Sequence, residues 1–290
     1  ILRASTTTDK RIIDKATTPP THSKPKRKAS VLLSMLIGLL LGVGTVFGRR
    51  AIDPKVRDEE EAKELSGLPT YGVVPDLGAL GLLQHELSTP RVIWETPKGP
   101  AAESFRTIRT NVEFAQVEGE VLKVIQITSS QASEGKSTVI ANLAIALSRA
   151  GHHVLIVDLD LRRPSLHRIL EVPRVPGISD HIVGHADIAP HQLENYGIDF
   201  ISAGNEPPES QRLLSSTRIV DLIDEWRGAY DYVLLDTPPL LVADSLVISK
   251  LSDMVLFVIR PRHCRRDHLK LAKNTHDRMD LVKGLIINGV

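Results

Sequence analysis

From about residue 121 onward, short apolar runs recur with longer mixed stretches between them. The runs lie near 121–128, 153–158, 198–203, 231–236, 254–260 and 284–288. They are rich in Val, Ile and Leu and show little alternation, the pattern of strands buried on both faces. Between them, and ahead of the first, apolar residues return at helical spacing near 102–116, 138–150, 209–228 and 265–279. Alternation of this kind predicts an α/β domain, a three-layer sandwich with a mainly parallel sheet between two layers of helices. No internal repeat is present.

A different pattern precedes it. Val31 to Gly48 runs 18 positions without a charge. At about 1.5 Å per residue this just crosses the hydrocarbon of a bilayer, and its all-round apolarity disfavours an amphipathic globular helix. One transmembrane helix over 31–48 is expected. Its flanks do not orient it: Lys24, Lys26, Arg27 and Lys28 precede the run, and Arg49, Arg50, Lys55 and Arg57 follow it. Beyond it, Asp58–Leu65 reads as an acidic helical patch, and 76–100 as a linker punctuated by proline and glycine. The expected organisation is a region 1–30 on one side of the membrane, the span 31–48, a juxtamembrane linker 49–100 and a globular domain 101–290. The chain opens on Ile1 rather than Met and stops just after an apolar run, so it reads as a fragment.

Composition narrows the function. With 290 residues, 42% hydrophobic and 24% charged, the chain holds one substantial domain plus appendages. A net charge of +1 and 4% aromatic residues give no footing for a nucleic-acid partner or a base-stacking surface. The single Cys264 excludes an internal disulfide and fits a reducing compartment. It sits in Arg260-Pro-Arg-His-Cys-Arg-Arg, where cations would lower a thiol pKa. An ordinary free cysteine is the commoner reading.

The chemistry concentrates in three places. Gln126–Thr138, QITSSQASEGKST, joins a predicted strand to a predicted helix through a loop ending Gly135-Lys136-Ser137. That is a phosphate cradle: backbone N–H groups and a helix N-terminus face the anion, Lys136 reaches the β/γ oxygens and Ser137 ligates Mg²⁺. Ser130 stands where G-x-x-x-x-G-K-[ST] has its first glycine. Asp158 and Asp160 close the next strand, and in open α/β sheets ligands bind beyond the carboxyl ends of the strands. A lone D-x-D is more often a solvated turn; beside a phosphate loop the functional reading prevails. Tyr232–Asp236, followed by Thr-Pro-Pro, has the form of a Walker B segment whose Asp236 holds the Mg²⁺ shell.

SSQASEGKST, VLIVDLDLRRPSLH and YDYVLLDTPPLLVADS resemble the Walker A, A′ and B motifs of the bacterial tyrosine kinases (BY-kinases), the cytoplasmic part of polysaccharide co-polymerases. SAGNEPPESQRLLSS is similar to that family's loop before Walker B, with Glu209-Ser210 in place of its Asn-Pro. The resemblance covers essentially the whole chain. It implies a P-loop NTPase fold and a membrane-anchored tyrosine autokinase using Mg-ATP to regulate exopolysaccharide or capsule chain length and export. ATP would lie on Ser133, Glu134, Gly135, Lys136, Ser137 and Thr138. Mg²⁺ would be held by Ser137, Asp160 and Asp236. Lys136 and the Asp158/Asp160 pair would be catalytic, Asp158 taking the proton of an acceptor tyrosine. Glu103, Arg106 and Arg109 match the family's E-x-x-R-x-x-R helix, which implies a ring-like homo-oligomer; by itself such spacing marks a solvated charged face. Further implied partners are the membrane, the polysaccharide export machinery and a protein-tyrosine phosphatase, with no nucleic acid. An ATP-binding domain must face the cytosol, which places 1–30 in the periplasm and the span in the inner membrane. Tyr71, Tyr196, Tyr230 and Tyr232 form no terminal cluster, so no acceptor is named. Two other readings stay open: a co-polymerase subunit that binds ATP without phosphorylating, and a partition- or division-site-type ATPase. The second is disfavoured because the loop has no additional early lysine.

Overall fold

The computed structural model describes residues 27–52, 54–80, 93, 96–115, 122–276 and 281–289. Most of the region expected outside the cytosol, up to residue 26, and the 81–92 part of the expected linker lie outside the described residues. The chain divides into two units, residues 1–53 and 54–290.

In the first unit, α1 (Arg27–Ile52) is a continuous helix of 26 residues. None of its Arg27–Thr45 stretch is buried, and Val31, Leu32, Met35, Leu36 and Leu39 are all exposed. By length and composition it is able to cross a membrane.

The second unit opens with α2 (Glu59–Ser66), the acidic patch of the sequence. Asp58 caps it by accepting from the Glu61 N–H at 2.9 Å, and Glu59, Glu60 and Glu61 suit the positive end of the helix. Next come β1 (Thr70–Val74), α3 (Pro100–Phe114), β2 (Val124–Ser129), α4 (Lys136–Arg149) and β3 (Val154–Asp158). They are followed by α5 (Leu166–Ile169), α6 (Ile178–Ile182), β4 (His191–Leu193), β5 (Ile198–Ile201), α7 (Ser210–Leu214) and α8 (Thr217–Ala229). The unit ends with β6 (Tyr232–Asp236), α9 (Ala243–Ser249), β7 (Met254–Ile259), α10 (Arg266–His276) and β8 (Val282–Asn288). The single helix expected over 209–228 is interrupted at Ser215–Ser216, giving α7 and α8.

The strands form one sheet in the order β1-β8-β7-β2-β6-β3-β5-β4. Its pairs are parallel except β4 with β5. All residues of β2, β3, β6 and β7 are buried, including the polar Gln126, Thr128, Ser129, Asp158 and Asp236, as strands covered on both faces require. Period-two alternation splits their side chains between two faces. Ile125, Ile127, Ile156, Leu234 and Leu256 pack under α3 and α4, while Val124, Leu155, Val157 and Leu235 pack toward α8. Each such Ile, Leu or Val contributes about 1.5–3 kcal/mol by leaving water.

The expected start of the domain near Ala101 is corrected by β1. Tyr71-Gly-Val-Val is a strand parallel to β8, with Val73 opposite Ile287 and Val74 opposite Asn288. Further upstream, Lys55 bridges Arg265, and the Val56 N–H donates to the Cys264 carbonyl at 2.9 Å. The segment 54–80, expected as linker, therefore belongs to the globular unit.

Candidate active site

Strand order carries three strand ends to one place. β2 lies beside β6, and β6 beside β3, with Ile127 opposite Asp236 and Asp236 opposite Asp158. The phosphate loop, the Walker B carboxylate and the Walker A′ pair thus meet at the carboxyl edge of the sheet, where α/β proteins bind ligands.

The loop from Ser130 to Gly135 has left-handed backbone at Ser133 (φ 65°) and Gly135 (φ 88°). At Gly135 a Cβ would stand 2.0 Å from Asn288 Nδ2, which itself donates to the Glu134 carbonyl at 2.8 Å, so only glycine fits. Ser130 is not among the left-handed positions, so a side chain there strains nothing. Its hydroxyl donates to Glu134 Oε1 at 2.9 Å, while the Ser130 and Gln131 N–H groups donate to Oε2 at 2.7 and 2.9 Å. Glu134 is buried, and burial raises its pKa. Its carboxylate turns inward and organises the loop that is expected to hold the nucleotide. Cys264 packs behind the loop with Sγ 3.1 Å from Ser130 Oγ. Burial, with Glu134 nearby, pushes its thiol up to about 12 despite the surrounding arginines.

Helix α4 starts at Lys136 with no acidic residue in its first turn and no side-chain cap. The N–H groups of that turn have no partner within the helix, which leaves them for an anion. Lys136 Nζ contacts Asp236 Oδ1 and lies 3.5 Å from Asp160 Oδ2. Burial opposes its charge, but Asp236 and Asp160 outweigh it and hold the ammonium above its ordinary pKa. Ser137 Oγ donates to Asp236 Oδ2 at 3.0 Å and accepts from Ser165 Oγ at 2.7 Å.

Asp158 and Asp160 are brought together with Lys136 but differ in exposure. Asp160 lies just past the end of β3 and lines the cavity; Asp158, the last residue of β3, is completely buried. Asp158 Oδ1 accepts from the Asp160 N–H at 3.2 Å, and Oδ2 is buried without a hydrogen bond. Burial and the charge of Asp236 push Asp158 well above the usual carboxylate range. Both carboxylates act on the Lys136 ammonium.

The cavity in front of these residues has a volume of about 600 Å³. Ser133, Gly135, Lys136, Ser137, Thr138 and Asp160 line it, with Arg162, Arg163, Ser165, Ile169, Pro238, Pro239 and Val242. The donor set fits a magnesium nucleotide. Ser137, Asp160 and Asp236 are hard oxygen donors, Asp158 Oδ2 is a buried oxygen without a partner, and three carboxylates face one lysine. Among the described residues no three His, Cys, Asp or Glu side chains form a metal cage. Ser165, Asn288 and Asp244 were not singled out from the sequence. Asn288 ends the last strand, and only the β7–β8 pairing brings it to the loop.

On α3, Ala101, Ala102, Phe105, Ile108 and Val112 are buried, while Glu103 and Arg106 pair with each other on the outer side. Arg109 lies 3.6 Å from Glu113. The three residues share a helix away from the cavity.

Two family models match the chain. The ParA model, described as "NUBPL iron-transfer P-loop NTPase", matches residues 120–273. The GNVR model, described as "G-rich domain on putative tyrosine kinase", matches residues 1–51. The "Putative tyrosine-protein kinase EpsB" of Ralstonia solanacearum is 32% identical over 301 residues, covering 100% of this chain and 40% of that protein. The chain thus spans less than half the length of the curated relatives it matches. Among solved structures, the chimerical protein CapA2B2 aligns with a TM-score of 0.72 at 30% identity, over 80% of this chain and 99% of that one. The kinase domain of Escherichia coli tyrosine kinase ETK aligns at 0.72 and 28%, over 80% and 94%. MinD of Pyrococcus horikoshii, solved with Mg-ADP, is more distant: 0.50 and 25%, over 57% and 70%. By these matches the chain belongs to the bacterial tyrosine kinase family of P-loop NTPases.

Proposed function

We propose that this chain is the nucleotide-binding part, with its membrane anchor, of a protein-tyrosine autokinase that uses Mg-ATP and regulates exopolysaccharide or capsule chain length and export. The observation that carries the reading is the meeting of Lys136, Ser137, Asp160 and Asp236 around one cavity at the ends of β2, β3 and β6. Ser137, Asp160 and Asp236 would hold Mg²⁺, which when bound would neutralise charge on the phosphates. The first turn of α4 and the loop N–H groups bind and orient them. Lys136 exchanges its contact with Asp236 for the transferred phosphoryl group and offsets the charge that develops there. Of the two Walker A′ carboxylates, Asp160 is at the cavity wall and faces an incoming tyrosine hydroxyl. Asp158 stands behind it and sets the local field.

The acceptor is supplied from elsewhere than Tyr71, Tyr230 and Tyr232. Tyr71 and Tyr232 are buried, and the Tyr230 hydroxyl donates to Asp199 Oδ2 at 2.7 Å. A second reading is a co-polymerase subunit that binds ATP without phosphorylating. The domain boundaries follow as 31–48 in the inner membrane with the nucleotide domain cytoplasmic and 1–30 periplasmic. Self-association runs through Glu103, Arg106 and Arg109, and the export machinery and a tyrosine phosphatase are further partners.

The test is incubation of the chain with γ-labelled ATP and Mg²⁺, beside Lys136→Met, with a tyrosine-bearing polymer as added acceptor. Label on tyrosine, lost in the variant, is expected. Nucleotide binding without label transfer would favour the second reading, and phosphate release alone a plain ATPase.

A further inference from the structure

Residues 168–201 lie between the Walker A′ segment and the loop before Walker B, belong to none of the motifs, and carry one tyrosine. Tyr196 sits in the turn 194–197 that joins β4 to β5. β4 is the last strand of the sheet, three residues long, and none of them is buried. The turn is compact: the Tyr196 and Gly197 N–H groups both donate to the Leu193 carbonyl at 2.9 Å, and Gly197 is left-handed (φ 65°). Glu194, Asn195 and Gly197 are exposed, while the Tyr196 side chain is half-buried against the core. A short hairpin at a sheet edge, with few buried contacts, opens locally far more readily than the molecule unfolds.

The other three tyrosines are held differently. A phenol that receives a phosphoryl group must leave its packing and enter a kinase cavity. Tyr71 and Tyr232 are buried residues of β1 and β6, and the Tyr71 ring closes directly over Gly284 of β8. Neither leaves without opening the sheet. The Tyr230 hydroxyl donates to Asp199, and its carbonyl accepts from Lys123 Nζ at 3.2 Å. Tyr196 alone among the four stands on a turn at the sheet edge.

Topology also decides whose cavity it enters. β5 runs parallel to β3 with Ile198 opposite Val154, so the turn before β5 lies at the amino edge of the sheet. The nucleotide cavity lies at the carboxyl edge, beyond Asp158. The turn is tied to the far end of α4, where Ser148 Oγ donates to the Gly197 carbonyl at 2.7 Å. Along that helix, Lys136 to Ser148 spans about 18 Å at 1.5 Å per residue. The folded chain cannot present Tyr196 to its own Lys136.

We propose that Tyr196 is a phosphorylation site of this chain, modified in the nucleotide cavity of a second copy. The proposal rests on the kinase reading above and names a substrate for it. In the step, the bond from the γ-phosphorus to the bridging oxygen breaks and leaves ADP. The Tyr196 Oη–phosphorus bond forms, and the phenol proton passes to a carboxylate of the receiving site.

The experiment mixes the parent chain in detergent with a Lys136→Met chain grown on heavy nitrogen, adds Mg-ATP and a tyrosine-bearing polymer, and maps phosphopeptides by mass. Phosphate is expected on Tyr196 of the heavy chain, which has no working lysine of its own. Tyr196→Phe in the heavy chain keeps the ring and removes only the hydroxyl. It should melt with its Lys136→Met parent and lose that phosphate, while the polymer is labelled as before. Phosphate on Tyr196 of the light chain alone would overturn transfer between copies. Phosphate on Tyr71, Tyr230 or Tyr232 with none on Tyr196 would overturn the site. A labelled polymer beside two unlabelled chains sinks this proposal and leaves the kinase reading standing. If the polymer and both chains stay unlabelled, the kinase reading falls and this proposal with it.

Discussion

Asp158 shows how the site is stabilised for function rather than for folding. Its carboxylate is fully buried, one oxygen has no hydrogen bond, and burial with Asp236 nearby raises its pKa. A carboxylate whose folded pKa exceeds its unfolded value favours folding at low pH, and that advantage is lost as pH rises through the folded pKa. At neutral pH the ionised group is therefore a burden. Asp158→Asn should stabilise the nucleotide-free protein by about 1–3 kcal/mol, or roughly 2–10 °C in Tm, while weakening phosphoryl transfer. The gain should shrink as the pH of the melting experiment is lowered toward the unfolded carboxylate range; a Tm difference independent of pH would contradict this origin. Cys264 makes the opposite point about reading charge from sequence. The flanking arginines by themselves would lower its pKa, yet burial beside Glu134 pushes the thiol to about 12, in line with an ordinary free cysteine. Iodoacetamide should leave Cys264 unmodified in the folded protein at pH 8 and alkylate it in denaturant, as peptide mass analysis would record.

At the scale of elements, β1 was the segment least visible in the sequence. Thr70-Tyr-Gly-Val-Val is short, carries a glycine and lies between Pro69 and Pro75, all features of a turn-rich linker. The glycine is needed for packing: a Cβ at Gly72 would stand 2.4 Å from Ile108 Cγ1 on α3. Ile108 is β-branched and fully buried, so it cannot swing aside. Gly72→Val should cost about 1–3 kcal/mol, measured by denaturant unfolding. The outer side of α3 is a separate matter. Arg106→Ala with Arg109→Ala should lower the assembly state in sedimentation while leaving Tm within a few degrees, because Arg106 is bound to Glu103 at a largely exposed site. An unchanged sedimentation profile, in a parent that assembles, would remove the ring interface from the proposal.

For the molecule as a whole, the folded unit begins at Pro54, well before the first strong helical pattern. α2 packs with α10, and β1 completes the edge next to β8. A chain beginning at Ala101 would expose the β8 edge and the buried Leu285, Ile286 and Ile287 side chains. It should melt lower than a chain beginning at Pro54 and aggregate on concentration, as light scattering would show.

The α/β class, the phosphate loop, both carboxylate segments and the apolar helix followed from the sequence alone, because each rests on local rules. Buried strands need continuous apolar runs, a phosphate cradle needs its glycine and lysine at fixed spacing, and a span needs about 18 uncharged residues. Tertiary structure decided the rest. Which strand neighbours which placed Asp236 between the other two motifs and brought Asn288 to Gly135. Burial decided that Asp160 rather than Asp158 lines the cavity, that Glu134 turns inward, and that the Cys264 thiol is raised rather than lowered in pKa. Contact across the chain made β1 a strand and gave Arg162 its partner in Asp244. These depend on residues distant in sequence, so no local pattern could carry them.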